Sequence, residues 1–128
     1  QVAKGKLVNE GADNMFNWIA KYNVEMFQGG DVYTYDLLPK AILNLTILER
    51  WFSPVEALKS ATSTAGEWLM KTGPKNPYKE AQLGTLQEGS YADVILVNGN
   101  PLQDLKVLND ADNVQLVIVN GEIHKNHL

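Results

Sequence analysis

The spacing of apolar residues changes near residue 81, and this change limits the possible folds more than any other feature of the sequence. Before it, apolar residues recur every three or four positions, as on one face of a helix. After it, they alternate with polar residues or form short runs between turn residues, as in strands. The 128 residues are enough for an ordinary domain with a sizeable core. The sequence therefore predicts an α+β fold, helical before residue 81 and mainly β after it.

Helices are predicted for residues 11–22, 36–52 and 53–72, because each stretch carries apolar residues at helical spacing. The last stretch is predicted to contain two short helices with a bend near residues 62–64. Between the first two helices, residues 24–27 form a short strand candidate that leads into a glycine pair.

Capping residues mark the helix ends within residues 53–72. Ser53 can accept from the exposed amides of the first turn and Glu56 can reach back to Ser53, which is the pattern of a capping box. Thr64 and Glu67 repeat this spacing and predict the start of the second short helix. Gly73, followed directly by proline, is predicted to end that helix.

The second part of the chain contains several strand candidates after a polar loop at residues 73–82. Asn120 and Gly121 between the last two candidates predict a tight hairpin turn. Asp93 lies within a run apolar enough to be buried on both faces, so it needs hydrogen-bond partners and is assigned a structural role. The predicted strands are residues 85–86, 92–97, 114–119 and 122–124.

Composition excludes several classes of partner and site. Eleven basic and fifteen acidic residues give a net charge of −4 without a basic patch, so no nucleic-acid partner is expected. No apolar run reaches the length of a membrane span, so no membrane partner is expected either. The absence of cysteine excludes disulfides and thiolate metal sites, and it fits a reducing compartment, which predicts a cytoplasmic location.

An ordered series of sequence blocks resembles the C-terminal third of the amidohydrolase superfamily, in the branch with imidazolonepropionase-like and prolidase-like enzymes. The resemblance extends over about residues 11–124, and the block around Asp93 is its most specific part. It implies that residues 1–80 are the last strand and helices of a (β/α)8 barrel, with residues 24–27 as the eighth strand. Residues 81–128 would then be an accessory composite β-domain, part of a small β-sandwich. The blocks are SPVEAL at 53–58, SAT at 60–62, residues 83–97, GNPL at 99–102 and VIVNG at 117–121.

The same resemblance assigns catalysis and metal binding to Asp31. Enzymes of this kind bind one or two divalent metals, which we expect to be zinc, and an Asp after the eighth strand contacts the metal and transfers a proton. Gly30 departs from the family pattern, which usually has Thr at this position. The local sequence alone favours the interpretation of Asp31 as a turn residue after two glycines, and only the downstream blocks in register favour the catalytic role. Tyr33 and Tyr35 follow it and are candidates for the lining of a substrate pocket.

The other metal ligands of such an enzyme are missing from this sequence. It has no His-x-His pair, and its two histidines, His124 and His127, are not expected to bind a metal. The expected function is therefore the C-terminal portion of a metal-dependent amidohydrolase that acts on a small amide, cyclic amide or dipeptide. The chain alone should be inactive and hold no metal. The alternative is a stand-alone binding or structural module without catalysis.

Exposed apolar faces on the helices and an unpaired barrel strand predict self-association, so a homo-oligomer is expected. The three tryptophans, Trp18, Trp51 and Trp68, are expected to be core or interface residues.

Overall fold

The computed structural model describes residues 2–30, 32 and 34–128. Its first element is helix α1, Val2–Tyr22, which ends where Asn23 adopts a positive φ of 50°. The helix predicted at residues 11–22 is confirmed, although it begins nine residues earlier. None of the described residues of α1 is buried, so this helix contacts the rest of the chain along one edge only.

Residues 24–27 do not form a strand, so this prediction is wrong for the chain as described. A strand requires a partner strand, and the three strands found in the described ranges pair with one another elsewhere. Isolated hydrogen bonds connect the two ends of this segment to helices: the Val24 amide donates to the Ile19 carbonyl at 3.0 Å, and the amide of the next residue, Gln28, donates to the Ser60 carbonyl at 2.9 Å.

The single helix predicted at residues 36–52 is also wrong, because this region forms a series of short helical turns. A 3-10 helix at Tyr35–Lys40 is followed by the one-turn helix α2, Leu43–Thr46, and a second 3-10 helix, Ile47–Arg50. Pro39 lies inside the first of these turns, where its ring removes a backbone donor and disfavours a continuous α-helix.

The two short helices predicted in residues 53–72 are confirmed as α3, Pro54–Ala61, and α4, Ser63–Lys71. The capping box at Ser53 is present in both directions. The second predicted cap, at Thr64, is wrong, because α4 begins at Ser63 and its N-cap position is Thr62, two residues before Thr64. No side chain caps that helix, since the Thr62 hydroxyl donates backwards to the Leu58 carbonyl at 2.7 Å.

A three-stranded antiparallel sheet follows, with the order β1-β2-β3. The strands are β1, Val94–Val97, β2, Val114–Val119, and β3, Glu122–Asn126. The turn between β2 and β3 is confirmed, because Asn120 and Gly121 both have positive φ, 50° and 82°, as a type I′ hairpin turn requires.

The strand predicted at residues 85–86 is wrong, because residues 81–91 form a turn-rich loop. Gly84 and Gly89 on either side both adopt positive φ, which takes the backbone out of the extended conformation. The Tyr91 amide closes this loop by donating to the Gln82 carbonyl at 3.0 Å.

The buried core combines residues from both parts of the chain. Part of it comes from the 3-10 helix Leu105–Asn109, which lies against α2. The Leu105 amide donates to the Glu49 carboxylate at 2.8 Å, and Thr46 and Asn109 share a side-chain hydrogen bond of 3.0 Å. The buried apolar residues of this core are Leu45, Leu48, Ala57, Leu105 and Leu108.

The sheet is less buried than the sequence predicts. We expected residues 92–97 to be covered on both faces, but Ile95 and Leu96 are 53% and 45% exposed. The reason is that the described strands contact mainly one another, and an open depression of about 470 Å³ lies between α3, α4 and the strands β1 and β2. Trp18 is likewise 62% exposed, whereas Trp51 and Trp68 are partly buried. Of the helices in the described ranges, none combines the length and apolar character needed to cross a bilayer.

Candidate active-site segment

Asp31, to which the sequence resemblance assigns catalysis and metal binding, lies outside the described residues, and so does Tyr33. The candidate site is therefore characterised by the described residues on either side of it. Residues 24–30 lead into it, and Val32 and the residues from Thr34 onward follow it.

Two hydrogen bonds connect the segment just before Asp31 to the helices. The Gln28 amide donates to the carbonyl oxygen of Ser60 at 2.9 Å. The Asn44 side-chain amide donates to the carbonyl oxygen of Gly30 at 2.6 Å. Ser60 itself is buried, and its hydroxyl donates to the Ala57 carbonyl at 2.7 Å. Residues 28–30 are thus attached to α3 at one end and to α2 at the other.

The first half of the segment contacts α4. The ammonium group of Lys71 pairs with the Glu25 carboxylate at 3.1 Å and also lies 4.6 Å from the ring centre of Trp68. The rings of Phe27 and Trp68 stack with their centres 5.4 Å apart. Because the ion pair is largely exposed, most of this attachment comes from the aromatic contact.

The residues that follow Asp31 in the sequence line an open depression of about 310 Å³. Its lining offers apolar surface and hydroxyl groups, which suits a small organic molecule better than a highly charged one. Tyr35 is 91% exposed at its edge, so the side chain is free to contact a bound molecule or another part of a larger protein. The lining residues are Val32, Thr34, Tyr35 and Leu38.

The described residues do not form a metal centre. Among residues 2–30, 32 and 34–128, no group of three or more His, Cys, Asp or Glu side chains is close enough to hold an ion. His124 lies on β3 and His127 just beyond it, where its amide donates to the Gln115 carbonyl. A catalytic zinc ion takes three protein ligands, so this part of the chain does not fit such a site by itself.

Asp93 has the structural role that the sequence predicts. Its carboxylate accepts from the Asn120 amide at 2.7 Å, and the Gly121 amide donates to the Ala92 carbonyl at 3.0 Å. These bonds attach Ala92 and Asp93, which directly precede β1, to the turn between β2 and β3. The prediction that Asp93 needs a hydrogen-bond partner is confirmed.

Sequence reasoning missed Asn44 and Ser60 as attachment points of the candidate segment. Asn44 belongs to no recognisable motif, and the block at residues 60–62 does not assign Ser60 this contact; the partners of Asn44 and Ser60 lie 14 and 32 positions away in the chain. Hydrophobic spacing gives no signal for such long-range contacts, so only the folded structure shows them.

The comparison that decides the family is a match of residues 49–124 to the amidohydrolase family. The matched residues are more than half of the chain. The chain belongs to the amidohydrolase family. The match includes α3, α4, β1, β2 and the first three residues of β3, which is the region where the ordered blocks occur.

Ochratoxinase from Aspergillus niger is a curated relative of this amidohydrolase. The two are 38% identical over 73 residues, which is 57% of this chain and 14% of the relative. The crystal structure of A. niger ochratoxinase matches with a TM-score of 0.56 at 34% identity, covering 67% of this chain and 19% of that one.

Two further solved structures match more of the fold. An amidohydrolase has a TM-score of 0.74 at 27% identity, over 90% of this chain and 26% of its own. A prolidase complexed with N-methylphosphonate-L-proline has a TM-score of 0.69 at 27% identity, over 88% of this chain and 26% of its own. This chain thus spans about a quarter or less of these proteins.

Proposed function

We propose that this chain is the C-terminal portion of a metal-dependent amidohydrolase that hydrolyses C–N bonds in small amides, cyclic amides or dipeptides. The observation that carries the proposal is the family match over residues 49–124, together with the two attachments of residues 28–30 just ahead of Asp31. In this proposal residues 1–80 belong to the end of a catalytic barrel and residues 81–128 to an accessory β-domain.

Asp31 is proposed as the carboxylate that this chain contributes to the active site. In barrel enzymes, residues at the carboxyl ends of the strands carry the chemistry. A carboxylate there can bind a metal ion and can accept or return a proton during hydrolysis. The attachments of Gln28 and Gly30 support this role, because a catalytic group needs a defined position.

The metal of the complete enzyme is proposed to be zinc, with the remaining ligands supplied from outside this chain. A bound zinc ion activates water and polarises a carbonyl group. Since the described residues do not form a metal centre, we propose that the chain alone binds no metal and catalyses no hydrolysis.

Dipeptides that end in proline are the first substrates to test. The similar prolidase was solved with a phosphonate derivative of proline. A tetrahedral phosphonate has the shape of the adduct that forms when water attacks an amide carbonyl, and such analogues bind more tightly than substrates. The depression beside Val32 and Leu38 offers apolar surface of the kind that a proline ring or an aromatic side chain would contact.

Replacing Asp31 in the full-length protein tests this function. We expect Asp31→Asn to lower kcat for a proline dipeptide by about 10²-fold or more, because proton transfer by a positioned group contributes at least that much. The matched control is Asp112→Asn, an exposed Asp whose side chain makes no hydrogen bond to the described residues. Equal activity of Asp31→Asn and the control would contradict the proposal.

A further inference from the structure

The tripeptide Val-Asn-Gly occurs twice in this chain, at residues 97–99 and at residues 119–121. The first tripeptide begins on the last residue of β1 and the second on the last residue of β2, and both asparagines are exposed. Asparagine before glycine is the pair that loses its side-chain amide most readily, because glycine has no side chain to hinder its own backbone nitrogen. Since the two tripeptides are identical, the fold is the main difference between them.

Loss of the amide is an intramolecular substitution at the asparagine side chain. The backbone nitrogen of the glycine gives up its proton to a base and bonds to the side-chain carbonyl carbon. The bond from that carbon to the side-chain nitrogen breaks, and the nitrogen leaves with a proton as ammonia. Water then opens the resulting succinimide ring at either carbonyl and gives aspartate or isoaspartate. The glycine nitrogen must therefore be available and free to turn toward the side chain.

The fold holds the second tripeptide in an arrangement that opposes this reaction. The Gly121 amide, which would supply the attacking nitrogen, donates to the Ala92 carbonyl at 3.0 Å. The Asn120 amide donates to the Asp93 carboxylate at 2.7 Å. The reaction would require the hairpin turn to open and both hydrogen bonds to break, which is a local unfolding event with a cost in free energy.

The first tripeptide has no such restraint on its glycine nitrogen. The Asn98 amide donates to the Asn113 carbonyl at 2.7 Å, which fixes the backbone before the reacting group. Within residues 2–30, 32 and 34–128, however, the Gly99 amide donates no backbone hydrogen bond. The attacking nitrogen is therefore available while the sheet stays folded.

We propose that Asn98 is a site of spontaneous deamidation, and that the hydrogen bonds of Asn120 and Gly121 protect the second tripeptide from the same reaction. This inference uses none of the residues assigned to catalysis, so it stands independently of the proposed function.

Conversion of Asn98 to isoaspartate would also disturb a contact between the sheet and the core. A Cβ atom built on Gly99 lies 3.3 Å from the Val107 side chain, so the two segments are close together. Val107 belongs to the 3-10 helix Leu105–Asn109, which contributes buried leucines to the core. Isoaspartate adds a methylene group to the backbone at residue 98. The backbone then cannot keep both the bond to Asn113 and the approach to Val107.

The test incubates the full-length protein in mildly alkaline buffer and follows both asparagines by peptide mapping with mass spectrometry. We expect Asn98 to convert about tenfold faster than Asn120 or more, because two hydrogen bonds must break before the second tripeptide reacts. The matched control is a parallel incubation in enough urea to unfold the protein, where the identical tripeptides should convert at similar rates. Incubation should also lower the urea midpoint of the folded wild type and leave that of Asn98→Gln unchanged, because glutamine forms the corresponding larger ring far more slowly.

Equal rates in the folded protein, or a faster reaction at Asn120, would overturn the inference. A rate difference that persists unchanged in urea would overturn it too, because the difference would then come from the flanking sequence and not from the fold. If Asn98 converts and the urea midpoint of the wild type stays constant, the stated effect on the contact with Val107 is wrong.

Discussion

At the scale of single residues, two glycines determine how closely α4 approaches the loop after it. A Cβ on Gly66 would overlap the Leu83 carbonyl, and a Cβ on Gly84 would overlap the Thr62 carbonyl. Gly84 also has a φ of +75°, which side chains other than glycine rarely adopt. The two backbones thus contact each other directly, and each glycine makes room for the other segment.

Gly84→Ala should therefore destabilise the chain more than the same change at Gly89. Gly89 has a similar φ of +85° but open space around it, so its replacement should cost about 1–2 kcal/mol from the backbone alone. At Gly84 the steric overlap should add about 1–3 kcal/mol. Urea denaturation of the two variants measures the difference, and equal losses of unfolding free energy would show that α4 and the loop do not make this contact.

Roles that a local sequence pattern indicates could be predicted from the sequence, and roles that depend only on the tertiary fold could not. The roles of Ser53 and Asp93 follow from a capping motif and from an acid in an apolar run, and both are confirmed. Asn44 gives no such signal, because its partner Gly30 is set by the tertiary fold. The assignment of Asp31 came from the family resemblance and stays a prediction.

At the scale of elements, α3 depends on the reciprocal cap at its start. The Glu56 carboxylate accepts from the Ser53 hydroxyl at 2.6 Å and from the Ser53 amide at 2.8 Å. These bonds stabilise the charged form and lower the pKa of Glu56 from its ordinary 4.5. Since the folded-state pKa is the lower one, the stabilisation is full above pH 4.5 and is lost as pH falls through the folded-state value.

Ser53→Ala should remove the side-chain cap and the largest cause of this pH dependence, while the backbone amide of residue 53 still donates to Glu56. We expect a loss of about 1 kcal/mol in unfolding free energy near neutral pH. We also expect the difference from the wild type to shrink as the pH falls from 4.5 through the lower folded-state pKa of Glu56, because the wild-type carboxylate is protonated in that range. Chemical denaturation at several pH values measures both effects. Glu56→Gln is the control without a titrating group, and a constant Ser53→Ala difference across this range would contradict the account.

Element predictions succeeded where local chemistry determines the structure. The predicted bounds of β2 match Val114–Val119, because apolar periodicity and the Asn120-Gly121 turn agree. Residues 36–52 have helical spacing, but Pro39 and the packing around α2 divide them into short turns. Residues 24–27 have the composition of a strand, yet a strand forms only beside another strand, which their own sequence does not encode.

At the scale of the whole molecule, large apolar side chains remain open on α1 and on the sheet. Trp18 is 62% exposed, Ile95 53% and Ile123 63%. Exposed apolar surface of this kind is typical of an interface. We therefore expect another copy of the chain, or the rest of a larger protein, to cover these side chains. Self-association stays a prediction. The chain spans 14% of ochratoxinase and 26% of the similar amidohydrolase. In the complete enzyme that we propose, barrel closure and substrate choice would depend on residues outside the chain.

The central claim is that this chain is a catalytically incomplete part of a metal-dependent amidohydrolase. The most direct measurement compares the isolated chain with the full-length protein, both incubated with zinc and a proline dipeptide and then dialysed for metal analysis. The claim predicts proline release and bound zinc for the full-length protein, and neither for the isolated chain, whose described residues form no metal site. A stoichiometric zinc ion or measurable hydrolysis in the isolated chain would contradict it, as would a full-length protein that binds no metal.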